Sequence, residues 1–197
     1  MLLAMSDEKT ISARIELNME EHTMKKMEDY VRSIPDFPEP GIIFRDVTSV
    51  LQDADGLHMA IDEMQKRVEE VEPDVIVGLE SRGFIFGMPL AYNMHKPFIL
   101  VRKKGKLPCE TIEKTYDLEY GTATIEIHKD AIKPGQKVVI VDDLIATGGT
   151  VEAAIQLIEE LGGQVVKCIF LMELAGLKGR EKLAGYDVDS VICYEGN

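Results

Sequence analysis

Four short runs of near-continuous apolar residues, Val75–Leu79, Pro97–Val101, Val138–Val141 and Val165–Met172, punctuate a chain that is otherwise patterned for helices. Runs of this length, rich in β-branched residues, predict inner strands covered on both faces. "VICY", Val191–Tyr194, predicts a further strand near the end. Between the runs, apolar residues recur every three or four positions over 56–71, 84–95 and 150–163, which predicts amphipathic helices. Thr150 is placed to cap the last of these, and the Gly162–Gly163 pair to end it. An order of strand, loop, helix, strand implies parallel pairing, so the expected fold is α/β, an open, mainly parallel twisted sheet flanked by helices. In such sheets ligands gather at the carboxyl ends of the strands. Three polar loops fall there: "ESRG" (80–83), "RKKGKLPCET" (102–111) and "DDLIATGGT" (142–150).

Length and charge narrow the reading. The 197 residues suit one domain, and 35 acidic against 22 basic side chains, a net charge of −13, argue against a broad nucleic-acid-binding face. An anionic ligand must therefore be met locally. Cys109, Cys168 and Cys193 are scattered, which suits a reducing compartment and forms no zinc motif. No apolar stretch reaches membrane-spanning length, and "MLLAM" lacks the features of a secretory leader, so a cytoplasmic location and no membrane partner are expected. Residues 1–23, with mixed charge and few apolar residues, are expected to be a non-essential extension before a domain spanning 24–197.

Candidate chemistry concentrates in "VVIVDDLIATGGT", Val138–Thr150. Ala146, Thr147, Gly148, Gly149 and Thr150 can turn backbone N–H groups and hydroxyls toward an anion at a helix N-terminus. The segment matches neither GxxxxGK[ST] nor GxGxxG, so a nucleoside-triphosphate P-loop and a dinucleotide site are both disfavoured. Asp142 and Asp143 would repel a phosphate but accept well from two hydroxyls. A ligand with a diol at one end and a phosphate at the other, such as ribose 5-phosphate, reconciles the two halves.

That stretch resembles the phosphoribosyl-pyrophosphate motif of the type I phosphoribosyltransferases. Residues 34–51 ("IPDFPEPGIIFRDVTSVL"), 78–87 ("GLESRGFIFG"), 102–136 and 172–185 ("MELAGLKGREKLAG") fit the same family in order and spacing, and only Met1–Thr23 has no counterpart. The resemblance implies that fold, with a small hood over the base site contributed by about 34–50 and 172–185. It implies a purine-salvage transfer of 5-phosphoribosyl from phosphoribosyl pyrophosphate to adenine, giving AMP and pyrophosphate, by a homodimer using Mg²⁺ that the substrate carries. It also implies a cis peptide at Glu80–Ser81.

The reaction builds negative charge on the leaving diphosphate, which calls for fixed cations. Arg82 in "ESRG" and the cluster Arg102, Lys103, Lys104 and Lys106 are the candidates. The polar loop Lys104–Thr115 is expected to close over the site as a mobile lid. For the base, Phe44 offers a stacking ring, Ile43 a backbone partner for the exocyclic amine, and Arg45 donors for a ring nitrogen. The resemblance assigns those roles, places Leu174 on the opposite face of the base, and makes Glu119 the acid–base residue. A xanthine or hypoxanthine-guanine enzyme, and a non-catalytic sensor of phosphoribosyl pyrophosphate, are the alternatives; the sensor would need a basic face for nucleic acid.

Overall fold

The computed structural model describes residues 25–117 and 121–196, so the expected 1–23 extension and Glu119 lie outside the described residues. The elements run β1 (Arg32–Pro35), β2 (Ile43–Asp46), α1 (Thr48–Gln52), α2 (Ala54–Glu69), β3 (Val75–Leu79), α3 (Arg82–Asn93), β4 (Phe98–Lys103), β5 (Thr111–Asp117) and β6 (Thr122–His128). They continue with β7 (Lys137–Ile145), α4 (Gly149–Glu160), β8 (Gln164–Leu174), α5 (Gly179–Lys182) and β9 (Val188–Tyr194).

Seven strands form one sheet in the order β5-β6-β4-β3-β7-β8-β9, and β1 and β2 form a separate antiparallel pair. Pairing is parallel from β4 through β9 and antiparallel where β6 joins β4 and β5 joins β6. The expected mainly parallel sheet is therefore present. From β3 the chain crosses to β4 on one side, while β7 lies on the other. The crevice between the carboxyl ends of β3 and β7 is thus a switch point, where loops diverge and leave room for a ligand.

Alternation along the strands divides the core between the two faces. Val75, Val77 and Leu79 of β3 pack with Val138 and Ile140 of β7 against α4, through Val151, Ala154, Ile155 and Ile158. Ile76, Val139, Val141 and Ile169 pack on the other face against α2 and α3, through Met64, Val68, Phe86 and Leu90. Helix α2 starts where the Asp53 carboxylate accepts from the backbone N–H groups of Asp55 and Gly56, satisfying donors that have no partner inside the helix.

Several sequence expectations are corrected. Strand β7 runs on through Asp142–Ile145, because β8 continues to pair with it there, so the two acids stand on a strand rather than in a loop. The residue before α4 that caps it is Gly148, at φ +80°, and not Thr150. Arg82 opens α3 instead of standing in a loop. The Lys104–Thr115 stretch is not loop throughout: from Thr111 it is β5, whose Ile112 and Tyr116 pack on the core. Its polar alternate residues belong to the open face of an edge strand, which hides it from a search for apolar runs.

The helix-to-sheet contact beside the switch point is set by Phe98. A Cβ on Gly78 would fall 2.5 Å from the Phe98 ring and 3.1 Å from the Gly83 carbonyl, and one on Gly87 would fall 2.6 Å from the same ring. A Cβ at Gly78 would crowd both the Gly83 carbonyl and the ring, and the ring can give way only toward the cavity it lines with Tyr92 and Pro97. Gly78→Ala is therefore expected to destabilise by about 1–3 kcal/mol, which thermal melts should show as a fall in Tm of roughly 2–4 °C per kcal/mol. An unchanged Tm would mean that the ring moves aside freely.

Candidate active site

The carboxyl ends of β3, β4 and β7 bring Glu80, Ser81, Arg82, Lys103, Asp142 and Asp143 around a cavity of about 310 Å³. Asp142 also lines an adjoining cavity of about 100 Å³ with Leu144, Ile145 and the whole loop Ala146–Thr150. A strand end bearing cations and the N-terminus of α4 thus flank one shared carboxylate.

The two acids of the pair meet different partners. Asp143 is 4% exposed, and its Oδ2 lies 2.8 Å from Arg82 Nε. Arg82 is half exposed, leaving its other N–H groups free to meet an anion in the larger cavity. Asp142 accepts the backbone N–H of Asp143 at 2.9 Å. Burial, and then the neighbouring Asp143 charge, push the Asp142 carboxyl well above the usual carboxylate range.

The basic loop is ordered by two further acids. Glu80 accepts the Lys103 backbone N–H at 2.9 Å and the Arg102 guanidinium at 3.2 and 3.3 Å. Arg102 also donates to the Lys106 carbonyl. Glu126, 4% exposed, takes the Lys106 and Leu107 N–H groups at 2.8 Å each. Against burial, which works to raise them, these hydrogen bonds hold both carboxyls below their usual value. The Glu80–Ser81 peptide is cis.

Of the candidate diphosphate cations, the structure brings Arg82 and Lys103 to the cavity; Arg102 is engaged by Glu80, and the Lys106 side chain is exposed beside it. On the other side of the small cavity, Thr150 donates to the Tyr116 hydroxyl at 3.0 Å, fastening β5 to α4. The base candidates sit on two elements. Ile43, Phe44 and Arg45 form β2, with Phe37 edge-on to Phe44 at 5.3 Å between ring centres. Leu174 ends β8, opposite Tyr194 of β9. The Arg45 guanidinium bonds Ser33 and lies 3.9 Å from the Tyr194 ring centre, so Tyr194 joins the two elements.

A model of the phosphoribosyl transferase domain matches residues 48–196. An adenine phosphoribosyltransferase of Butyrivibrio fibrisolvens is 78% identical over 171 residues, 87% of this chain and 94% of that protein. The chain belongs to the adenine phosphoribosyltransferase family. The Agathobacter rectalis member is 71% identical over 88% of this chain and 99% of its own length. The crystal structure of the family member from Thermoanaerobacter pseudethanolicus superposes with a TM-score of 0.82 at 52% identity, covering 85% of this chain and 98% of that one. The fold is that of type I phosphoribosyltransferases.

Glu80, Glu126, Tyr116 and Tyr194 were not singled out by sequence reasoning. Glu126 carries a weak signal, a carboxylate between Ile125 and Ile127 in a strand. The others are recognisable only once distant elements meet.

Asp142 yields a signed prediction. Its folded-state pKa is raised, so keeping it ionised costs the unliganded fold stability above that pKa, and the cost disappears below the unfolded value. Asp142→Asn should therefore raise the Tm of the free protein at neutral pH, with the gain shrinking as pH falls. The same change should weaken ribose 5-phosphate binding by about 1.5–3 kcal/mol, roughly 10- to 100-fold by calorimetry. A lower Tm with unaltered affinity would make Asp142 a structural residue.

Proposed function

We propose that the chain is a purine-salvage transferase that moves 5-phosphoribosyl from phosphoribosyl pyrophosphate to adenine, giving AMP and pyrophosphate. The observation that carries the proposal is the pair of adjoining cavities sharing Asp142. The smaller suits a 5-phosphate at the α4 N-terminus, with Ala146, Thr147, Gly148, Gly149 and Thr150 supplying N–H groups and hydroxyls. The shared carboxylate, with Asp143, suits the ribose diol. The larger suits the diphosphate, held by Arg82 and Lys103 with Arg102 and Lys106 behind them.

Cleavage of the bond from C1′ to pyrophosphate moves an electron pair onto the leaving oxygen, while N9 of adenine attacks C1′. Arg82, aimed by Asp143, stabilises charge that grows on the diphosphate. Glu119 takes the purine proton in this reading. Among the described residues no three His, Cys, Asp or Glu stand together as a metal cage. Mg²⁺ would be carried by the substrate phosphates, and Asp142 and Asp143 are the carboxylates nearest to hold it. When bound it draws charge from the diphosphate oxygens. The stretch Lys104–Thr115, loop as far as Thr111, is the lid of this reading, closing over the reacting atoms and keeping water from the activated sugar.

Adenine lies between Phe44 and Leu174, under a hood formed by β1, β2 and the segment after β8. Pro35, paired with Ile43, has no N–H to offer the Ile43 carbonyl, which supports that carbonyl as acceptor for the exocyclic amine. Arg45 reads a ring nitrogen. The enzyme is a homodimer, a reading supported by Ile85, Met88 and Tyr92, which lie 40%, 54% and 84% exposed along α3. Free Cys109, Cys168 and Cys193 suit the reducing cytoplasm.

Incubation with phosphoribosyl pyrophosphate, Mg²⁺ and each purine base tests the proposal. Adenine should give nucleotide readily, and hypoxanthine, guanine and xanthine should lag by up to about 10⁴- to 10⁵-fold in kcat/KM, because an oxo group faces the Ile43 carbonyl acceptor to acceptor. Arg45→Ala should raise KM for adenine far more than for phosphoribosyl pyrophosphate. Equal use of an oxopurine would overturn the base assignment. Separately, Tyr92→Glu should shift sedimentation from dimer to monomer; an unshifted dimer would place the interface elsewhere.

A further inference from the structure

Beyond the acids and bases of the cavities, one ion pair, a buried carboxylate met by a half-exposed guanidinium, spans the element that separates the two halves of the site. Glu173, next to Leu174 at the end of β8, has a side chain only 8% exposed. Its two oxygens each accept Arg180 Nε at 2.8 Å, and one lies 2.7 Å from Arg180 Nη2 and accepts the Ser190 hydroxyl at 3.0 Å. The third guanidinium nitrogen donates to the Val188 carbonyl. All three nitrogens of Arg180 are thus committed, and Val188 and Ser190 both belong to β9.

Between Glu173 and Arg180 the chain leaves the sheet at Leu174, makes a 3-10 turn at Ala175–Leu177, and reverses at Lys178, φ +57°. Gly179 then presses on the phosphate loop. A Cβ there would strike the Ala146 carbonyl and come within 2.8 Å of the Ile145 side chain, and a Cβ on Gly148 would sit 2.6 Å from the Gly179 carbonyl. The segment therefore begins at the purine face and ends, one residue before Arg180, against the loop assigned to the ribose phosphate.

We propose that Arg180, locked by Glu173, Ser190 and Val188, is a positioning residue that fixes the purine subsite at a set distance from the ribose-phosphate loop. The inference rests on the functional reading above. N9 and C1′ arrive on different ligands bound to different elements, and the joining step requires them about 3–3.5 Å apart and aligned. A fork of donors on a buried carboxylate defines a separation more sharply than apolar packing, while adding little net stability. The pair touches neither reacting atom, so its effect is on relative placement.

The test compares Arg180→Lys and Glu173→Gln with wild type. Lysine keeps the charge and loses the fork. Binding of adenine and of ribose 5-phosphate is measured separately by calorimetry, and kcat for AMP formation is measured with both substrates saturating. The expected result, measured well below Tm, is near-normal affinity for each ligand alone with kcat reduced on the order of 10- to 100-fold; Glu173→Gln, which strands the guanidinium, lowers Tm as well, and Arg180→Lys, which keeps the charge, lowers it less. Wild-type kcat in Arg180→Lys would overturn the proposal, as would a loss confined to Tm and both binary affinities, which marks a merely structural brace. A wild-type protein that binds neither ligand and makes no AMP would instead sink the functional reading beneath it.

Discussion

Asp142 and Asp143 stand side by side where β7 runs out between β3 and β8, with little water to relieve their repulsion. Ordinary folding pressure would remove such a pair, since burying a carboxylate is costly. The surrounding structure supplies the compensation. Arg82 is delivered at the first turn of α3 to meet Asp143, and Asp142 keeps a single backbone N–H. In the proposed reading, a sugar diol brings further donors to Asp142 and so favours its charged form. This is a stability–function trade of a familiar kind, in which a site is destabilised in the direction that its ligand corrects.

Carboxylates also organise the positive side of the crevice. Lysines and arginines in sequence repel one another, and a run such as "RKKGK" left alone is a solvated loop. Glu80 and Glu126 take its backbone N–H groups and one guanidinium, so the run is folded by acids that lie outside it. Arg45 is handled in the same way by a hydroxyl and a ring, which fix the direction of a long side chain before any base is present.

How far the sequence could be read depended on where each strand lies. "VIVGL" is buried on both faces and coincides with β3, and the helices after it appear within a few residues of expectation. β7 and β8 outran their apolar cores, because parallel pairing carried Asp142, Asp143 and Glu173 into the ladder although polar residues usually signal a strand's end. β1, β2, β5 and β6 were not anticipated as strands; they are short or lie at an edge, where alternation is diluted by charged residues facing water. That Ala146–Thr150 line a cavity at the start of α4 was legible because a loop of that kind is contiguous in sequence. The acids that fold the basic run, and Tyr194 beneath Arg45, were not, since each acts on residues 19 or more positions away.

The edge of the main sheet has a mechanical character of its own. β5 and β6 are zipped along their full lengths, Thr111–Asp117 against Thr122–His128, yet β6 meets β4 at only two pairs, Arg102 with Glu126 and Lys103 with Ile125. The hairpin hangs on a short seam, backed by the Lys104 N–H on the Thr124 carbonyl, by Ile125 and Ile127 in the core, and by contacts with α4 such as Tyr116 on Thr150. Its amides should therefore trade hydrogen for deuterium as one cooperative group, well ahead of β3 and β7, whose opening requires loss of the whole core. Because Thr150 lines the smaller cavity, an anion held there would compete for the hydroxyl that pins the hairpin. The isotope-exchange rate of an outer hairpin thus becomes a gauge of what occupies the crevice beside it.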